Sequence, residues 1–134
     1  MRRVTALLAC AAVALSACGG PSKEDAKTTV RDYLAAFAQN DGQKVCDLMA
    51  SDTRAAFLTR MELSTNATDC AQAVEQRRKA TPKKAIAVLK RVKLTGVKVD
   101  GKKASVKVKV GRITTTTRLK AEGDHWRVTG APGS

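Results

Sequence analysis

Four cysteines, one histidine, one tyrosine and a long series of lysines and arginines are the side chains here that could carry out chemistry or hold a charged ligand. Cys46 and Cys70 are the pair expected to form a disulfide if the domain is exported, because oxidation is permitted outside the membrane. In the chain-entropy view, a loop of that length contributes roughly 3 kcal/mol to stability. A redox or metal pair would require CxxC spacing or a nearby histidine, and neither is present. His125 is adjacent to Trp126 at the start of a strand pattern. No serine or cysteine with a matching acid is placed by the sequence to complete a triad with it, so no catalytic residue is assigned. No cluster of His, Asp, Glu or Cys has ligand spacing, so neither metal nor cofactor is expected.

Positive charge is the other chemical signal. The formal net charge is +13, with 25 basic and 12 acidic residues. From Arg77 onward there are 17 basic residues and 3 acidic ones, so the C-terminal half carries the positive field. Lys98, Lys107, Lys109, Arg118 and Lys120 alternate with apolar residues and should share the solvent face of a sheet. Arg77, Arg78, Lys79, Lys83, Lys84, Lys90 and Arg91 lie nearby in sequence. Taken singly, such residues guard sheet edges; as a set of one sign they attract anions. Nucleic acid is not the expected partner, since the basic strands lack interleaved aromatics on which bases could stack.

The segments that position these residues begin with an export signal. Residues 1–17 contain Arg2 and Arg3, a stretch from Val4 to Ala14 of mostly Ala, Leu and Val, and a small-residue exit, which is the layout of a signal peptide. The apolar run is shorter than the roughly 20 residues of a spanning helix. Leu15-Ser16-Ala17-Cys18 resembles the lipobox of bacterial lipoproteins at every position, followed by the tether Gly19-Gly20-Pro21-Ser22. The resemblance implies a diacylglyceryl thioether on Cys18 and cleavage between Ala17 and Cys18. It also implies attachment to the extracytoplasmic side of the cell membrane, where anionic lipid or wall polymer would be available. Removing Cys10 with the signal and assigning Cys18 to lipid leaves Cys46 and Cys70 as a natural pair. The division is thus 1–17 signal, 18–22 lipidated cysteine and tether, and 23–134 one domain, a usual domain length.

Within that domain Ser22 and Asp25 form a capping-box pattern, and Ala26, Val30, Tyr33, Leu34 and Phe37 follow a helical period, predicting a helix from Lys23 to Gln39. Asn40-Asp41-Gly42 ends it. A short helix with Val45, Leu48 and Met49 follows, then another turn or two capped by Ser51 or Asp52 and burying Phe57 and Met61. Ser64 to Thr68 reads as a loop, with Thr68 capping a helix to about Arg78 that turns Cys70, Ala73 and Val74 inward. After Pro82 the period changes to that of strands. Val92 and Leu94 precede a phase shift at Gly96 that marks a bulge. Asp100-Gly101 signals a hairpin, Ala104 to Val110 alternates cleanly, Ile113 to Ala121 forms a third strand, and Trp126 and Val128 a fourth. Helices first and an antiparallel sheet afterwards predict an α+β domain, the helices packed on one face of a three- to four-stranded sheet.

The order of elements, together with Val30 to Phe37, Asn40-Asp41-Gly42, Cys46-Asp47-Leu48-Met49 and Asp52, resembles the nuclear transport factor 2-like superfamily, which includes SnoaL-like cyclases and ketosteroid isomerases. The resemblance implies a curved sheet and helices enclosing a conical pocket, with Tyr33 as the pocket candidate. Ungapped extension puts Phe57 where the isomerases have their aspartate base, so the resemblance supplies no proton acceptor. The expected function is a membrane-anchored, non-catalytic envelope module. Its basic sheet face would meet anionic surfaces or partners, or its pocket a small apolar ligand. The alternative is a SnoaL-like enzyme with unidentified catalytic residues.

Overall fold

The computed structural model describes residues 20–130 of the chain, so the expected signal segment, Cys18 and the last four residues lie outside the described part. Five helices precede a four-stranded antiparallel sheet, an α+β arrangement. Helix α1 spans Lys23–Gln39 as the capping box predicts: the Ser22 hydroxyl accepts from the Asp25 N–H at 3.1 Å, and the Ser22 N–H donates to the Asp25 carboxylate at 2.7 Å. Asn40 closes it in the left-handed conformation, with φ of 62°. Asp41 caps α2, Gly42–Leu48, through the Lys44 N–H.

Three local expectations are corrected. Helix α3 spans Ser51–Thr65, much longer than a turn or two, and neither Ser51 nor Asp52 caps it. Ala50 holds the cap position, and both polar side chains instead reach the far end of the sheet. Helix α4, Cys70–Lys79, is capped by Asp69 and not by Thr68; the Asp69 carboxylate accepts from the Gln72 N–H at 2.8 Å. The chain after Pro82 does not pass straight into strand but forms the two-turn helix α5, Lys83–Leu89. Its half-buried residues are only Ile86 and Leu89, too few to print a helical period on so basic a stretch.

Strands β1 (Lys93–Asp100), β2 (Lys103–Val110), β3 (Ile113–Glu122) and β4 (His125–Val128) pair in chain order, with a bulge between Leu94 and Gly96. Gly101 takes a φ of +56° in the turn between β1 and β2, a conformation that side chains with a Cβ resist. The inner face, Ala104, Val106, Val108, Leu119, Trp126 and Val128, packs with Val30, Tyr33, Phe37, Val45, Met49 and Phe57 of the helices into one core. Among the described residues that core contains no buried charged or polar residue.

Two long-range ties fix α1 against the rest. The Trp126 indole N–H donates to the Ser22 carbonyl at 2.8 Å, seating the helix start against β4. The Arg78 guanidinium, on α4, donates to the Phe37 and Ala38 carbonyls at 3.1 and 2.9 Å, adding to the Asn40 N–H bond that Phe37 already accepts at the end of α1. Cys46 and Cys70 form the expected disulfide, which joins α2 to α4 with an S–S length of 2.03 Å. No helix among the described residues is long and apolar enough to cross a membrane.

Candidate anion-binding face of the sheet

Strand alternation puts the core on one sheet face and the cations on the other, and the register gathers those cations into rows. Lys98 is level with Ser105 and Arg118; the next row toward the β1–β2 turn holds Asp100, Lys103, Lys120 and Arg127. In the other direction lie a row of Gly96, Lys107 and Thr116 and a row of Lys93, Lys109 and Thr114. Side chains opposed across adjacent strands stand about 5 Å apart at Cβ, and successive rows on one face about 7 Å apart.

All five expected cations therefore share one face, but they are not equivalent. Lys98, Arg118 and Lys120 border a cleft of about 450 Å³ whose other polar lining is Asp100, Lys103, Ser105 and Thr129. Lys107 and Lys109 do not border it; they continue the face beyond it as exposed side chains. Lys120 is already engaged, with its ammonium 2.8 Å from Asp52 and 3.6 Å from Glu122. That pairing raises the Lys120 pKa, chiefly through its hydrogen bond to Asp52, and lowers the Asp52 carboxyl reciprocally. Glu122 is lowered mainly by the Ser51 N–H, which donates to it at 2.9 Å. Lys120 thus draws the first turn of α3 to the sheet as well as contributing to the cleft. Lys98 and Arg118 form no salt bridge among the described residues.

Lys103, Lys93 and Arg127 belong to the same face and were missed from the sequence. For Lys103 the signal was present, since it extends the Ser105, Lys107 and Lys109 alternation by one step. Thr129 carried no signal: it joins the cleft because its N–H and hydroxyl both donate to the Arg118 carbonyl beyond the end of β4. Like charges lie directly opposite each other at Lys93–Lys109 and Lys103–Lys120, an unfavourable juxtaposition that the Asp52 and Glu122 carboxylates relieve at Lys120.

The remaining candidates behave differently. Tyr33 is 4% exposed and its hydroxyl donates to the Gly130 carbonyl at 3.2 Å, so it is a core aromatic with a satisfied polar tip. Burial pushes its phenol pKa strongly upward, so it stays protonated and serves as donor. Phe57 is buried, and His125 is exposed beside Asp25 in a smaller cleft of about 310 Å³. No group of three or more potential metal ligands occurs among the described residues. Arg78, counted with the basic set, spends its guanidinium on α1. Comparison with protein-family models, with curated proteins and with solved structures finds no match to the chain.

Proposed function

We propose that this chain is a lipid-anchored, extracytoplasmic, non-catalytic module that binds an anionic surface or partner on the outer face of its sheet. The observation that carries the reading is the cleft lined by Lys98, Lys103, Arg118 and Lys120 with the Ser105 and Thr129 hydroxyls and a single carboxylate, Asp100. With Lys120 held by Asp52 and Glu122, the cations Lys98, Lys103 and Arg118 still outnumber Asp100 in the cleft, a balance that suits a phosphate, sulfate or carboxylate. The aliphatic lysine stems supply the apolar walls. The lipid anchor is Cys18, proposed on its lipobox and on the short tether that leads to the seated Ser22. The finer likeness to the nuclear transport factor 2-like cone is part of the proposal. It is supported by two N-terminal helices joined at Asn40-Asp41, a bulged sheet and a tryptophan on its last strand.

Two measurements test this reading. Cys18→Ala should abolish metabolic labelling with lipid and leave the precursor uncleaved, and continued labelling would reject the anchor. For the face, a Lys98→Gln/Arg118→Gln variant should bind anionic probes roughly 30-fold more weakly, from about 1 kcal/mol per basic residue. Binding that is indifferent to both residues and to salt would reject the face as the site.

A further inference from the structure

The outer face is an elongated ladder of cations with a defined polarity. The seat of the tether marks one end of the molecule: Ser22 is bonded to Trp126, which is level with Ala121, and the Ala121 N–H in turn donates to Lys102 in the β1–β2 turn. All three acidic residues of the C-terminal half, Asp100, Glu122 and Asp124, are at that end, as is Asp52 through its bond to Lys120. Away from it the rows carry no acid: Lys98 and Arg118, then Lys107, then Lys93 and Lys109 stand without a carboxylate among them. The ladder climbs from the cleft through Lys107 to Lys93 and Lys109, with Arg112 just beyond in the β2–β3 turn. Four rows at about 7 Å intervals make a track of roughly 20 Å. Threonines Thr114 and Thr116 and the serine Ser105 lie in these rows beside the cations.

We propose that the occupant of this track is a linear polyanion of the cell envelope, a phosphate-bearing polymer, and not the headgroups of the membrane that holds the anchor. This rests on the anion-binding reading above and names its partner. A single flexible chain can lie in the cleft and continue along the exposed rows beyond it, following the ladder lengthwise. At the tether end, which a leash of four residues reaching at most ~14 Å would hold near the bilayer, Lys102, Lys103, Lys120 and Arg127 are offset by Asp52, Asp100, Glu122 and Asp124, so the unbalanced positive charge lies in the rows that lead away from the membrane. Nucleic acid fits less well. The one tyrosine, two phenylalanines and one tryptophan of the chain are all buried in the core, leaving no platform for bases.

The test uses the 134-residue chain in micelles of a non-ionic detergent and measures its affinity for inorganic polyphosphate of graded length and for phosphatidylglycerol–phosphatidylcholine vesicles. Affinity should rise with polymer length until the chain spans the ladder and then level off. Lys107→Gln/Lys109→Gln, two exposed positions outside the cleft, should leave the shortest polymer bound as before. It should weaken the longest, with the slope of log affinity against log salt shallower by about 1.4. Length-independent binding, an unchanged slope, or vesicles held as tightly as long polymer through Lys107 and Lys109 would overturn the polymer assignment while leaving anion binding intact. Absence of binding to every anionic probe would overturn both.

Discussion

Arg78 shows how a charge changes meaning once its neighbours are known. In sequence it is one of three consecutive cations; in the fold it is half-buried and bonds two carbonyls at the end of α1, where positive charge also complements the helix dipole. Arg78→Ala should destabilise the domain by about 1.5–3 kcal/mol, the usual range for hydrogen bonds made by a charged group. Equilibrium urea unfolding would read the loss, and a change within experimental error would show that water replaces the guanidinium at no cost. Asp52 and Glu122 invite a prediction in pH. Their folded pKa values lie below the ordinary carboxylate range, so the stability they contribute is present above that range and is lost as pH falls through the folded values. The thermal midpoint should therefore drop below about pH 4, and Asp52→Asn should flatten part of that drop. An identical acid profile in the variant would remove Asp52 from the account. None of these partners was legible in the sequence, because Lys120 and Asp52 are brought together only by α3 folding back on the sheet.

Elements with a strong local pattern were legible, and those defined by tertiary contacts were not. The bounds of α1, the bulge at Gly96 and the β2 alternation were all readable, since each is written in consecutive residues by a cap, a phase shift or a period of two. Helix α5 and the length of α3 were not, because their buried positions are few: α3 buries only Phe57 and Met61, and α5 fully buries none. Gly42 illustrates a close approach that periodicity cannot reveal. A Cβ built there would lie 2.6 Å from the Ala71 carbonyl oxygen on α4, so Gly42→Ala must push α2 and α4 apart. The expected cost is about 1–3 kcal/mol, as for overpacked cores. The same two helices are joined by the disulfide, and Cys46→Ala/Cys70→Ala should cost roughly 3 kcal/mol in the chain-entropy model. Guanidinium unfolding of both variants would check the pair; if the cysteine variant is as stable as the parent, the crosslink is dispensable to the fold.

For the molecule as a whole, the sequence carried the α+β class and the sign of the C-terminal charge, but not its geometry. That the cations form rows depends on register, and register became visible only with the pairing of four strands. The candidate site was accordingly half legible: Lys98, Arg118 and Lys120 meet in one cleft, Lys107 and Lys109 extend it, and Lys103 and Thr129 complete it. The conical pocket suggested by resemblance drew attention to Tyr33, which the fold places in the core.

The bond from the Trp126 indole to Ser22 has a mechanical consequence. If the chain is anchored at Cys18 as proposed, a load drawn through the tether would reach the domain at the first residue before α1, where one side-chain hydrogen bond couples it across to β4. Traction on the membrane would thus be shared between a helix and a strand from the outset and would not peel α1 away turn by turn. Because Trp126 is the chain's single tryptophan, its fluorescence should report directly whether that junction is seated or strained.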